Sequence, residues 1–197
     1  MLAFRRASLD DVPALVALIE SAYRGEASRA GWTTEADLLR GQRTDDAEVR
    51  ALVSGEHARF VLVEERPNEA AGSGEVRGSA TDGGAEDRDP SALLGCVLLK
   101  DEGACAYVGM FSVRPTMQAR GLGRALLEEA ERIARDELRR DVVRMTVIAQ
   151  RGELIAWYAR RGYALTGRRE PFPYHLVGAG DPLRDDLVFE VLEKRLG

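Results

Sequence analysis

The chain has 197 residues, which suits one domain or one domain with appended segments. Its 45% hydrophobic content can fill a core, and its 31% charged content can keep a surface wet. The net charge of −5 argues against a nucleic-acid partner, whose binding surface is usually basic, and no apolar run approaches the ~18–20 residues that cross a bilayer.

The opening Met1-Leu2-Ala3-Phe4-Arg5-Arg6 leads straight into polar sequence, without the apolar stretch of a signal peptide. The expectation is a cytoplasmic protein with no membrane partner. Residues 4–7 read as a first strand. Ser8 or Asp10 can cap the helix that follows, with Pro13 in its first turn. Val12, Leu15, Val16, Ile19 and Tyr23 recur at helical spacing and form one apolar face. Residues 25–31 break that helix. Thr33 or Thr34 then caps a second helix reaching Leu38 and Leu39, with Glu35 and Asp37 in its first turn. A further short helix is expected near 47–54.

Residues 59–64 form a strand by composition. The chain then changes character. From 65 to 91 it is rich in Gly, Ala, Ser, Glu and Asp and nearly free of large apolar residues. Such a stretch cannot bury enough surface to offset the entropy of ordering it. It reads as a flexible insertion at 66–91 inside a single domain spanning 1–197. Residues 93–99 make the next strand, residues 100–103 a hairpin turn, and 104–113 the strand after it, with Gly109 marking a bulge. A long helix runs from about 121 to 138, burying Leu122, Ala125, Leu126, Ala130, Ile133 and Ala134. Residues 142–149 form a strand. A helix beginning near Leu154 ends at Gly162, and strands at 163–167 and 187–192 complete the order. Alternating strands and helices around an antiparallel hairpin point to an α/β fold, a mixed sheet covered by helices. Cys96 and Cys105 read as two buried thiols, and His57 and His175 fit no metal-ligand spacing, so no metal is expected.

The chemistry concentrates in Gln118-Ala119-Arg120-Gly121-Leu122-Gly123, which runs from a strand end into a helix start. The first amides of a helix lack intrahelical partners, and the helix dipole is positive there. A phosphate can accept several of these hydrogens at once. Glycine at 121 and 123 would let it approach the backbone, and Arg120 and Arg124 add positive charge. Two glycines at a helix start also read as a plain turn. A dinucleotide fingerprint would need glycine at Leu126, and no Gly-Lys-Ser/Thr closes a nucleotide-triphosphate loop.

The larger unit is more specific. Met110-Phe111-Ser112-Val113-x-Pro115-x-x-Gln118-x-x-Gly121-x-Gly123-x-x-Leu126-Leu127 resembles the central motif of the Gcn5-related N-acetyltransferase (GNAT) superfamily. Downstream, Trp157-Tyr158-x-x-x-Gly162-Tyr163 resembles that family's second signature. The resemblance implies a mixed, mostly antiparallel central sheet flanked by helices. It also implies acetyl-CoA as co-substrate, without a metal, and transfer of an acetyl group to a primary amine of a small molecule or peptide. Phe111, Ser112 and Val113 would meet the acetyl and pantetheine portions. Gln118, Ala119, Arg120, Gly121, Leu122, Gly123 and Arg124 would hold the pyrophosphate. Tyr158 would protonate the leaving thiolate. The tyrosine also reads as a core aromatic, in which case the chain would be an acyl-CoA-binding module without catalysis. Many members carry Asn seven residues before this Tyr, where this chain has Arg151.

For the acceptor, Tyr23, Trp32 and Glu35 are the expected contacts, with Trp32 walling a pocket and Glu35 attracting an ammonium. Trp32 also fits simple packing, and Glu35 a helix start. Pro171-Phe172-Pro173-Tyr174 is expected to close the pocket's other side. Homodimers are common in the family, though no residue here points to one.

Overall fold

A computed structural model of the chain describes residues 1–65, 93–174 and 181–197. The insertion expected at 66–91 lies outside the described residues. The elements in order are β1 (Leu2–Arg6), α1 (Val12–Tyr23), α2 (Gly25–Arg29), β2 (Leu39–Arg40), α3 (Asp46–Ser54), β3 (Ala58–Glu65), β4 (Leu93–Asp101), β5 (Ala106–Val113), α4 (Leu122–Asp136), β6 (Val142–Ile148), α5 (Gly152–Ala159), β7 (Ala164–Pro171), β8 (Asp181–Pro182) and β9 (Val188–Arg195). Seven strands form one sheet in the order β1-β3-β4-β5-β6-β9-β7, and β2 pairs with β8 in a small second sheet. Neighbours in the large sheet run antiparallel except β5 and β6, which are parallel. The chain thus has the mixed, mostly antiparallel α/β architecture expected from its sequence.

Alternation along the strands divides the apolar residues between two layers. Phe60, Leu62, Cys96 and Leu98 face α1 and α3, where they bury Leu15, Ile19, Val49 and Val53. Val61, Val63, Val97 and Leu99 face α4, whose stripe of Leu122, Leu126, Leu127, Ala130, Ile133 and Ala134 covers the opposite side. Leu126 is fully buried, which contributes about 1.5–3 kcal/mol relative to leaving it exposed. Cys96 and Cys105 are free, buried thiols.

One irregularity organises the centre of the sheet. In the β4–β5 ladder Cys96 faces Ser112 but Leu98 faces Gly109, so β5 carries an extra residue immediately after Gly109. Met110 takes a left-handed φ of 43° there. A bulge moves every later side chain to the other face. Ala106 and Val108 pack against the α4 layer, Met110 packs against the α1 layer, and Val113 returns to the α4 layer. Phe111 is carried to the α4 and α5 side with Val113. Just before the bulge β5 also parts from β6: their pairing consists of Ala106 with Val143 and Tyr107 with Arg144. The two parallel strands splay apart from there.

Two local expectations are corrected. The helix predicted from Thr33 to Leu39 does not form; α2 occupies residues 25–29, where a break was expected. Thr34 Oγ1 instead accepts from the Ala36 amide at 3.0 Å, and Glu35 O accepts from the amides of Leu38 and Leu39, both at 2.9 Å. Leu39 then pairs with Pro182. The Glu35 side chain is drawn into a buried ion pair, and that tertiary contact wins over a weak local helix propensity. Ser8 caps the 3-10 turn Leu9–Asp11 that leads into α1, its amide donating to Asp11 Oδ2 at 2.7 Å, and Asp11 is the N-cap of α1 itself.

Candidate active site

The splay between β5 and β6 is the site's foundation. Past Tyr107, the β6-facing edge of β5 has no ladder partner, so its backbone groups are open to an extended ligand. Two hollows meet along this edge. A cleft of about 390 Å³ runs over Phe111 and Val113 to the start of α4 and across to Trp157, Arg160 and Arg161. A smaller cavity of about 140 Å³ lies deeper, between residues 107–111 of β5 and 145–148 of β6. Tyr23, Phe111, Arg151, Leu154 and Tyr158 line both.

At the outer end of the cleft, the chain turns into α4 through two left-handed residues, Ala119 (φ 63°) and Gly121 (φ 81°). Nothing lies within 4 Å of a Cβ built on Gly121, so glycine is required there by the backbone angle. The first i to i−4 bond of the helix is Ala125 N to Gly121 O at 3.0 Å. The amides of the preceding turn are therefore without helical partners and sit at the positive end of a 15-residue dipole. Arg124, Arg160 and Arg161 surround the same end. Burial, and then the charges of Arg160 and Arg124, push the Arg161 guanidinium below its ordinary range. Its Nη1 donates to Trp157 O at 2.8 Å, and its Nε is buried without a partner. This cluster suits a doubly charged anion such as a pyrophosphate.

The predicted cofactor residues divide by placement. Phe111, Val113, Gln118, Ala119, Gly121, Gly123 and Arg124 line the cleft, whereas Ser112, Arg120 and Leu122 do not. Ser112 is buried on the other side of β5, where its Oγ donates to Met110 O at 3.2 Å. The bulge places it there. Leu122 is 4% exposed and packs into the core. Arg124 is exposed and bonded to Glu128 at 2.8 Å. The Gln118 side chain acts as a brace: its Oε1 accepts from Trp32 N at 3.0 Å and its Nε2 donates to Val113 O at 3.2 Å. A Cβ on Gly31 would meet Gln118 Oε1 at 2.5 Å, so glycine at 31 permits this contact. Tyr23 Oη donates to Phe111 O at 3.2 Å. Each of these carbonyls keeps a second lone pair for a ligand.

The middle of the cleft is aromatic. Trp157 sits 5.0 Å from Tyr158, 6.1 Å from Phe111 and 6.4 Å from Trp32, centroid to centroid. Trp32 remains 41% exposed and forms an outer wall of the cleft, not a piece of core. Tyr158 is 4% exposed, and its hydroxyl makes no hydrogen bond among the described residues. Burial, reinforced by Tyr23 and opposed by Arg151, raises this phenol above its usual range, so it stays protonated at neutral pH.

Beneath the cleft, Arg24 Nη1 donates to Glu35 Oε2 at 2.7 Å and Arg151 Nη1 donates to Glu35 Oε1 at 2.8 Å. Arg151 Nη2 also donates to Thr33 Oγ1 at 3.0 Å. Both oxygens of Glu35 are thus held by protein guanidiniums, and an ammonium would compete with two fixed cations for this carboxylate. Phe172 packs with Leu39, Ile148 and Leu187 in a third apolar cluster and lines neither hollow. Sequence reasoning did not use Arg24, Arg43, Arg151, Arg160 or Arg161. The departure from Asn at 151 was a signal for one of them, and the basic pair immediately before Gly162 was a signal for two more. Among the described residues no group of three His, Cys, Asp or Glu is placed to hold a metal, and no helix is long and apolar enough to cross a membrane.

Among solved structures, the chain is similar to a spermidine N-acetyltransferase SpeG chimera from Vibrio cholerae and hSSAT (14% identity, TM-score 0.63, 98% of this chain and 95% of that one). It is similar to the ribosomal-protein-S18-alanine N-acetyltransferase from Escherichia coli (13%, TM-score 0.62, 100% and 95%). It is also similar to NAA60 from Arabidopsis thaliana, solved with a bisubstrate analogue (15%, TM-score 0.63, 100% and 99%). No curated protein matches the sequence. The family model described as the acetyltransferase (GNAT) family matches residues 41–163, which takes in both the loop before α4 and Tyr158, and the chain belongs to that family.

Proposed function

We propose that the protein is an acetyl-CoA-dependent N-acetyltransferase that acts on a primary amine by direct attack, with Tyr158 as the general acid. One observation carries this reading: Tyr158, a buried residue, lines both the cleft and the separate small cavity, and its hydroxyl makes no hydrogen bond among the described residues. That hydroxyl is therefore free to donate its proton to a group bound in the cleft.

The lining of the cleft supports this assignment of the donor. The first-turn amides of α4, with Arg124, Arg160 and Arg161, would hold the pyrophosphate. The open edge of β5 at Phe111 and Val113 would hold the pantetheine, whose amides can bond to backbone in the manner of an added strand. Acetyl-CoA supplies an activated thioester. The acceptor amine enters the deeper cavity, having lost one proton from its ammonium form to water. Its nitrogen forms the bond to the acyl carbon, and the carbon–sulfur bond breaks. The thiolate takes the Tyr158 proton, and the phenolate recovers one from the amine nitrogen through solvent. A thiol titrates near ~8.5 and tyrosine near ~10, so the hydroxyl can share its proton with a departing thiolate. The products are an amide, free CoA and one net proton from the original ammonium.

An acetyl-transfer screen over amines, amino acids and N-terminal peptides, read by thiol release and by mass of the acetylated product, tests this reading. Thiol release that needs an amine and yields its acetamide is the expected result. Release without any amine would reduce the reaction to hydrolysis and remove the proposal.

A further inference from the structure

The deeper cavity is basic, which nothing in the family assignment requires. Arg43 lines it, with its guanidinium 5.3 Å from the centre of the Tyr23 ring. That guanidinium makes no ion pair or hydrogen bond among the described residues. The backbone around it is fixed, because Glu20 Oε1 accepts from the amides of Arg43 and Thr44 at 2.6 and 2.8 Å. Arg151 approaches the same ring from its own side at 5.9 Å, and its Nε is buried without a partner. Among the described residues, Glu35 is the one carboxylate lining the cavity, and both of its oxygens are already taken by Arg24 and Arg151.

We infer that the acceptor is a small amine that carries its own carboxylate, of the α-amino acid type, and that Arg43 receives that carboxylate while the amine faces Phe111 and Tyr158. This inference rests on the acetyltransferase reading above and names its substrate class. A guanidinium presents a planar fork that matches a carboxylate with two parallel hydrogen bonds. A cavity of about 140 Å³ is close to the size that holds benzene, so a compact molecule fits it and a folded chain terminus does not. A peptide N-terminus carries an amide where the amino acid carries its carboxylate. A polyamine would bring a second ammonium beside Arg43 with no free carboxylate to receive it.

The test uses the twenty α-amino acids, their α-carboxamides, β-alanine and spermidine on the full chain. Each compound is measured by thiol release with acetyl-CoA and by calorimetric titration into the CoA-saturated protein. The expected result is a kcat/KM about 100-fold higher for the best amino acid than for its carboxamide, the scale of one charged hydrogen-bonded contact. Arg43→Ala should reduce that ratio to less than about 10, mainly through KM, and Arg43→Lys should restore part of it. Melting temperature and CoA affinity of both variants serve as controls for the fold. Preferential binding of amino acids without thiol release would support the carboxylate subsite and remove the acetyltransferase reading. Equal or better turnover of carboxamides or spermidine, or an unchanged ratio in Arg43→Ala, would overturn the inference and leave the acetyltransferase reading standing. Neither binding nor turnover anywhere in the panel would also overturn it.

Discussion

Arg151 Nη1 donates to Glu35 Oε1 at 2.8 Å, joining the start of α5 to the loop after α2 across 116 positions of sequence. With Arg24 on the other oxygen, the three side chains are only 6–11% exposed. The carboxylate carries two guanidiniums out of water, so its removal would leave both uncompensated. Glu35→Gln is expected to destabilise the protein by about 3–5 kcal/mol, the usual cost of breaking a buried charge network by one partner. Urea unfolding at neutral pH measures it. A loss under about 1 kcal/mol would mean the charges are solvated in solution, as in an exposed pair.

The left-handed turn at Gly121 (φ 81°) makes a separate demand. Gly121→Glu should cost about 1–2 kcal/mol through backbone strain alone and should abolish CoA binding by placing a carboxylate against the anion cluster. Calorimetry with CoA and a circular-dichroism melt separate the two effects. Unchanged CoA affinity in a folded variant would show that the α4 N-terminus is not the donor site.

Tyr158→Phe keeps the ring that packs against Trp157 at 5.0 Å and deletes the proton. Turnover should fall by about 10²–10⁴, the range for a positioned general acid, with donor KM within about twofold. Steady-state kinetics across pH provide the check. Wild-type turnover in the variant at every pH would leave Tyr158 a packing residue.

The buried phenols also set an alkaline limit. Burial raises Tyr158 above its usual range and pushes Tyr23 up to about 12. Between pH ~10, where an unfolded tyrosine titrates, and these higher values, the unfolded state binds fewer protons than the folded one. Stability therefore falls as pH rises through that window and is untouched by these groups below it. Melting temperature should be level with respect to them up to about pH 9 and drop above 10, with a shallower drop in Tyr158→Phe. Identical slopes in the two proteins would disconnect Tyr158 from the alkaline transition.

What could be read from residues alone was what repeats locally. The α4 stripe, the strands of β3 to β6 and the glycine loop before α4 are periodic or closely spaced, so neighbouring positions carry their own geometry. The same holds for Tyr158, which stands near the end of a short helix at a fixed offset from the glycine, Gly162, that follows it. The predicted helix at Thr33–Leu39 failed because its propensity was small beside the pull of Arg24 and Arg151 on Glu35, two residues no local window contains. Ser112 was assigned to the donor with its neighbours in the family motif, and the bulge at Met110 turns its side chain to the other face of β5.

By itself, the sequence determined the family and pointed to where a donor would lie, since a helix N-terminus and a strand edge are built from consecutive residues. The proposed acceptor cavity, for which Tyr23 and Glu35 among its residues were expected, takes its shape from tertiary structure. Arg43, Tyr23, Arg151 and Tyr158 come from four separate segments, and what gathers them is the splay of β5 from β6 after two pairs of residues. A cavity between two strands has no linear signature, because its shape depends on where those strands stop pairing.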